Sequence, residues 1–329
     1  MSELKNNKRP LKIAIQMDPI ESIIFARDSS HLLGLEAQNR GHEIFYYQPY
    51  QLSLDNGKVV AELTKITLYN NPDNYYSLGE KKLYNLEEMD VILMRQDPPF
   101  DMNYITYTYL LEMLKDKVLV VNDPTEVRNC SEKIFVCLFA KFMPKTLITG
   151  DINRAQKFLK EHNNNIILKT LYSFSGNDVF HIQDASELTK QYEFLYKKYN
   201  APLMLQEFLP GIKNGDKRIV LIDGEIVGTL NRMPKEGNFL SNMIQGGKAV
   251  KTEITDREHE ICAALKPELK KRNLILAGID VIDGHLTEIN VTCPTGLKVI
   301  NGLYGIKLEQ KFWDVVEKKI KLCNFPIKH

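Results

Sequence analysis

The sequence predicts an α/β protein built in two parts. Short apolar runs alternate with helical patterns over the first 120 residues, which implies a mostly parallel sheet. The length of 329 residues is that of two domains at about 100–200 residues each. Hydrophobic content of 43% and charged content of 26% are ordinary for a globular chain, which excludes disordered and collagen-like classes. Lys and Arg total 43 against 42 Asp and Glu, a net charge of +1. That balance argues against nucleic acid or an anionic membrane as the main partner.

The first part opens with the apolar run Leu11–Met17, which reads as a strand entering the loop Asp18-Pro19-Ile20. The run is too short for a signal-peptide core, and no stretch approaches the ~18 residues of a membrane helix. A cytoplasmic protein is expected. Asp28-Ser29-Ser30 is a helix N-cap signal, and the helix it starts stops at Gly41. His42–Tyr47 is a second strand. Leu52–Leu54 and Lys58–Leu63 flank Asp55-Asn56-Gly57, a hairpin turn. Val91–Met94 is wholly apolar, as a doubly buried parallel strand should be. It runs into Arg95–Asp101, a helix to about Lys115, and the strand Val118–Val121. Ligands of such sheets sit beyond the carboxyl ends of the strands. Asp18, Ser29, Ser30, Arg95 and Asp97 fall there and are candidates for substrate contact.

The second part starts near Asn122-Asp123-Pro124. A helix containing Lys133 is expected to end by Pro144, its ammonium snorkelling to the surface unless a partner holds it. Helix 151–162 leads to the strand Ile166–Lys169, the polar loop Tyr172–Asp178 and the strand Val179–Ile182. A helix over 184–199, a strand over Leu203–Leu209, and a hairpin of Lys217–Ile222 with Glu225–Leu230 follow. Residues 233–248 have little periodicity and read as a loop. Helix 255–272, the strands 274–282 and 286–292, and a helix near 307–322 close the chain. Five scattered cysteines with no C-x-x-C argue against a disulfide framework or zinc ribbon. The seven histidines form no cluster in sequence.

Asp280, Glu288 and Asn290 carry the most information. They lie on consecutive strands, and Asp280 and Glu288 are symmetric about Gly284. Directly opposed residues share a face. A three-residue loop Asp283-Gly284-His285 therefore puts both carboxylates and the Asn290 amide on one face. A two-residue loop would send Asp280 to the other. Such a set of hard oxygen donors suits Mg²⁺, which shares substrate phosphates; a solvated acidic hairpin is the plain alternative. Lys169 ends an apolar strand just before the 172–178 loop, where it can meet phosphate as a point charge, or simply be solvated. Arg218 offers a planar fork for a carboxylate or a transferring phosphoryl group, or a structural ion pair.

These residues sit within longer strings: Met17-Asp18-Pro19-Ile20, Asp28-Ser29-Ser30, Met94-Arg95 with Asp97-Pro98-Pro99-Phe100-Asp101, Glu132-Lys133, Gly215–Arg218, Gly278-Ile279-Asp280, Leu286–Thr292 and Pro294-Thr295. In this order they resemble the bacterial-type glutathione synthetases of the ATP-grasp superfamily, over nearly the whole chain. The resemblance implies an α/β N-terminal (pre-ATP-grasp) domain at 11–123. It also implies two α+β subdomains, a central lid subdomain at 124–205 and a C-terminal one at 206–325 with the metal site. Lys133, Lys169, Ser175 and Gly176 would meet ATP phosphates, Gln206, Glu207, Phe208 and Leu209 the adenine, and Asp216 the ribose. Asp280, Glu288 and Asn290 would hold Mg²⁺, or Mn²⁺ in its place. Arg218 would act on the reacting groups. Asp18 and Arg95 would place the peptide donor, and Arg232, Thr292, Pro294 and Thr295 would line the acceptor side.

The implied reaction is ATP-dependent ligation of γ-glutamylcysteine and glycine through an acyl phosphate, in a homo-oligomer, a tetramer by resemblance. Cys293 reads as a lining residue rather than a nucleophile. Only one glycine stands in Thr170–Gly176, Tyr172 replaces a small acidic residue, and Leu240 and Lys248 stand where the family shows arginines. These departures predict weaker ATP handling. They keep open a ligase with other substrates and an ATP-binding homologue without turnover.

Overall fold

The computed structural model describes residues 9–173, 176–235 and 247–322. The first sheet is built around β1 (Lys12–Gln16), with β2 (Glu43–Tyr47) on one side and β6 (Val91–Met94) and β7 (Leu119–Val121) on the other, all parallel. These strands are buried almost throughout, because helices cover both faces. Past β2 the sheet turns antiparallel, through β3 (Leu52–Asp55), β4 (Lys58–Leu68) and β5 (Tyr76–Asn85). The β5 strand escapes a reading by periodicity. It is an edge strand with no core face, and Ser77–Leu83 are all exposed. Its lysines and its bulge against β4 are devices that blunt an open edge.

Helix α1 (Ser29–Asn39) follows β1, and its first turn is capped by the Asp28 carboxylate, which accepts from His31 N at 2.6 Å. Such a cap contributes about 1 kcal/mol. Helix α2 (Met102–Glu112) and the short α3 (Pro124–Asn129) lie beyond β6 and β7, each capped by an aspartate. Lys133 is not in the expected helix. Residues 132–134 form a turn before a 3-10 helix, Phe135–Phe142. Nor does Lys133 snorkel: it is 3% exposed and is held by Glu132, Glu288 and Ser173 O.

A four-stranded antiparallel sheet follows, in the order β10 (Val179–Ile182), β9 (Ile166–Thr170), β11 (Leu203–Glu207) and β8 (Thr146–Thr149). Helices α4 (Ile152–Glu161) and α5 (Ala185–Tyr199) pack on it around Phe158, Leu188 and Leu195. The third sheet has the order β14 (Lys248–Val250), β13 (Glu225–Met233), β12 (Asp216–Ile222), β15 (Leu276–Ile282) and β16 (His285–Asn290). Helix α6 (Asp256–Lys271) covers it. Helix α7 (Leu297–Tyr304), which the sequence reading misses, is one short amphipathic run between Gly296 and Gly305. Helix α8 (Leu308–Leu322) returns to the first domain, where Trp313 Nε1 donates to Leu33 O at 2.8 Å.

The β15–β16 hairpin corrects one step of the sequence argument. Its loop is the two-residue turn Asp283-Gly284, with φ of 52° and 75°, as a type I′ turn requires. Asp280 nevertheless faces Glu288, because a bulge between Asp280 and Val281 shifts the register by one residue. One extra residue in a strand reverses which face the rest present. The juxtaposition expected from a longer loop is thus produced by a different device.

Asn122, just after β7, joins the first and third sheets. Its amide donates to Leu276 O and Val291 O, both at 2.7 Å, and accepts from Leu276 N at 2.9 Å. The carboxyl ends of β1 and β6 are thereby held opposite the charged face of the third sheet.

Candidate active site

Four neighbouring strands of the third sheet present one row of charge. Antiparallel pairing puts Arg232 of β13 opposite Asp216 of β12, Arg218 of β12 opposite Asp280 of β15, and Asp280 opposite Glu288 of β16. Asp280 accepts from Arg218 Nε and Nη2 at 2.5 and 2.9 Å, a bidentate pair. Arg232 Nη2 lies 2.9 Å from the same carboxylate and also pairs with Asp216. Gly278 makes room for the arginine: a Cβ there would lie 3.2 Å from Arg218 Cδ and Nη1. Burial pushes the Asp280 carboxyl up, but Arg218 and Arg232 outweigh it and hold it well below the usual carboxylate range. Asp216 goes the other way: burial outweighs Arg232 and raises it to about 6. The Arg232 Nε is buried with no hydrogen-bond partner among the described residues.

Lysines close the row from the other side. Lys133 Nζ lies 3.5 Å from Glu288, pairs with Glu132, and donates to Ser173 O at 2.8 Å. Lys169, at the end of β9, is buried 3.8 Å from Glu288. Burial lowers the Lys169 ammonium, while Lys133 and Lys169 together outweigh burial at Glu288 and lower that carboxyl. Asn290 Nδ2 is 3.3 Å from Asp280 Oδ2. The backbone carbonyl of Glu132 accepts from Ile289 N at 3.1 Å, which seats the Lys133 turn on the carboxylate hairpin.

The hinge between the second and third sheets follows β11. Gln206 Nε2 donates to Thr146 Oγ1 at 2.9 Å, and the Glu207 carboxylate accepts from Lys145 N at 3.0 Å. Phe208 N donates to Asn165 O, and its ring stacks on His181 with centroids 4.0 Å apart. Gln206, Glu207, Phe208 and Leu209 thereby bring polar and apolar groups together on the cavity wall. On the first domain's side, Arg95 donates from Nε to Ser30 Oγ at 3.1 Å and from Nη2 to Pro294 O at 2.9 Å. The Asp18 carboxylate accepts from Asp97 N at 2.7 Å.

Most of these groups bound one cavity of about 450 Å³. It gathers Asp18, Arg95, Lys169, Gly176, Gln206, Glu207, Phe208, Leu209, Asp216, Arg218, Arg232, Asp280, Glu288, Asn290, Thr292 and Thr295 from the sequence-predicted set. Lys133 stands behind the wall, and Pro294 contributes its carbonyl to Arg95. Ser175 and Leu240 lie outside the described residues. Tyr172 is 42% exposed and is not a cavity-lining residue. Cys293 does line the cavity, but it donates to Arg95 O at 3.2 Å and burial pushes its thiol well up. A thiol so placed is a poor nucleophile. Sequence reasoning misses Arg27, Glu132 and the apolar pair Ile23 and Ile24 as wall residues. The Asp28 cap places Arg27 and Ile24 just before a helix that follows β1, which is the one signal that could have found them.

Two carboxylates and an amide oxygen form a hard-donor set fit for a divalent cation. The lysines and arginines around them suit phosphate oxygens and a carboxylate. The fold and this charge arrangement define an ATP-dependent ligase of the ATP-grasp class. The chain matches the family models for the prokaryotic glutathione synthetase N-terminal domain over residues 11–128 and for the prokaryotic glutathione synthetase ATP-grasp domain over residues 132–305. It is 50% identical over 312 residues to glutathione synthetase of Mesorhizobium japonicum, covering 94% of this chain and 99% of that one. Identity to glutathione synthetase of Brucella melitensis is 49% over 310 residues, with the same coverage. The crystal structure of D-cycloserine synthetase superposes with a TM-score of 0.68 at 12% identity, over 94% of this chain and 99% of that one; that likeness concerns fold alone. The chain belongs to the prokaryotic glutathione synthetase family.

Proposed function

We propose that this protein makes glutathione, joining the cysteinyl carboxylate of γ-glutamylcysteine to the amine of glycine while ATP is converted to ADP and phosphate. Family membership supports the reaction. The observation that carries it here is the row Arg232, Asp216, Arg218, Asp280 and Glu288 lining one cavity, with Lys169 and, behind it, Lys133 held against Glu288. The donor carboxylate takes the γ-phosphoryl group as an acyl phosphate. Glycine's amine then attacks the carbonyl, and phosphate leaves. Such chemistry needs positioning and charge neutralisation rather than a nucleophilic side chain.

In this reading Lys133 and Lys169 hold the ATP phosphates, Gly176 and Ser175 cover them, and Gln206–Leu209 hold the adenine, with Asp216 toward the ribose. Asp280, Glu288 and Asn290 hold Mg²⁺, which would neutralise phosphate charge. Mn²⁺, which takes the same oxygen donors, would serve in its place. Arg218 faces the reacting carboxylate and phosphoryl group, and the unpartnered Arg232 Nε supplies a further N–H to the same anions. Thr292, Pro294 and Thr295 bound the acceptor side, and Asp18 and Arg95 the donor. No described helix is long and apolar enough to cross a membrane. Cytoplasmic location and a homo-oligomer, a tetramer, complete the proposal.

The test is phosphate release from ATP with Mg²⁺ and γ-glutamylcysteine, with and without glycine, the product being identified by mass. Glycine-dependent glutathione is expected. Absence of phosphate release in protein that binds ATP would overturn the reading.

A further inference from the structure

One cation of the cavity wall forms no ion pair with any described residue. Arg27 is half-buried at the end of the loop between β1 and α1 and lines the cavity. Its side chain makes no hydrogen bond and no ion pair with any described residue. The other cavity arginines differ. Arg218 and Arg232 are paired with carboxylates, and Arg95 has two of its nitrogens on a hydroxyl and a carbonyl. A half-buried guanidinium facing a cavity is at its best opposite a carboxylate, which it can grip with two N–H groups.

The proposed reaction, on which this inference rests, brings several anions into the cavity. ATP phosphates belong with Lys133 and Lys169. The reacting carboxylate belongs with Arg218. Glycine's carboxylate is one carbon from the attacking amine, so it too stays near the reacting centre. Only the α-carboxylate of the γ-glutamyl residue must lie far from the chemistry, at the opposite end of the donor. Arg27 belongs to the first domain, across the cavity from the charged sheet. Asp18, Asp28 and Asp97 share its end of the cavity and offer carboxylates to the donor's α-ammonium.

We infer that Arg27 is a specificity-determining residue that binds the non-reacting α-carboxylate of the donor. A γ-linked dipeptide carries two free carboxylates, and a cation at one end fixes which of them reaches the phosphoryl group. The residue therefore selects γ-glutamyl donors and the site of activation together.

The experiment compares the intact protein with Arg27→Gln at saturating ATP and glycine, using two donors. One is γ-glutamylcysteine; the other is γ-aminobutyrylcysteine, which keeps the amine, thiol and reacting carboxylate but lacks the α-carboxylate. With γ-glutamylcysteine the variant should raise KM roughly 10- to 100-fold, the usual range for a lost charge-assisted hydrogen bond, while kcat and the KM for ATP hold. With γ-aminobutyrylcysteine the two proteins should have equal kcat/KM. Arg27→Lys should recover part of the loss. Equal kinetics of the two proteins toward γ-glutamylcysteine, an equal penalty with both donors, or a raised KM for ATP would each overturn the assignment of Arg27 alone. A wild-type protein that makes no glutathione would overturn the functional reading and this inference with it.

Discussion

The two walls of the cavity handle charge in opposite ways. On the third sheet the cavity-facing arginines are paired, Arg218 and Arg232 with Asp280 and Asp216, and the neighbouring Lys133 and Lys169 lie against Glu288. On the first domain Arg95 has only neutral partners and Arg27 has none among the described residues. The first wall is preorganised. Its ions hold one another in place, and arriving phosphates and a cation exchange with partners already at the right positions, so little reorganisation is needed. The second wall leaves its guanidinium groups without a carboxylate partner among the described residues. The difference teaches that, on the proposed reading, the chemistry is built into a sheet while selection of the donor falls to loops at strand ends.

The largest effect should come from the preorganised wall. Arg218→Met should lower kcat for glutathione formation roughly 100- to 1,000-fold, the cost of one preorganised donor, while ATP still protects the protein in a thermal melt. An unchanged kcat would show that the paired row is structural. Lys169→Met should come next. Its KM for ATP should rise roughly 10- to 100-fold, on the scale of a lost charged hydrogen bond, with the KM for γ-glutamylcysteine little changed. The reverse split would move Lys169 to the donor side of the comparison.

The joint between the walls offers a test of stability rather than activity. Asn122→Ala strips three buried backbone groups of their partners, at a cost of about 2–4 kcal/mol. A melting temperature equal to wild type would mean that the walls are held together elsewhere.

The smallest effect concerns pH. Asp216, raised to about 6 by burial against the pull of Arg232, binds its proton more tightly folded than unfolded. Its contribution favours the fold at acid pH and is lost as pH rises through about 6. Asp280 and Glu288 have lowered pKa values. Their contribution is present above the ordinary carboxylate range and is lost only as pH falls through the lowered values. The melting temperature of Asp216→Asn should therefore improve relative to wild type as pH rises from 4 to 7. A constant difference across that range would remove Asp216 as the source.

Local signals carried much of this molecule. The parallel strands β1, β6 and β7 were legible as apolar runs, and α1 from its Asp28 cap. Three hairpin turns announce themselves as Asn56-Gly57, Asp223-Gly224 and Asp283-Gly284, all with positive φ at both residues. Where local signals were absent, the reading stopped: β5 has no buried face, and β8 and β14 are three or four residues long. Lys133 shows how a buried candidate came with a wrong element. Its apolar neighbours read as a helix, but residues 132–134 turn so that one ammonium can reach Glu132, Glu288 and Ser173 O.

By itself the sequence determined the alternation of strands and helices, the places where hairpins turn and the set of residues able to handle phosphate, metal and carboxylate. These depend on periodicity and on φ preferences within a few residues. The tertiary structure decided which of those groups meet. A single bulge places Asp280 opposite Glu288 despite a two-residue turn, and Asn122 docks the first domain on the third sheet. Packing brings Arg27, which has no ion pair among the described residues, to the wall of a cavity whose charged row lies some two hundred residues later in the chain. Contacts at that separation follow from the packing of whole sheets, which no local pattern encodes.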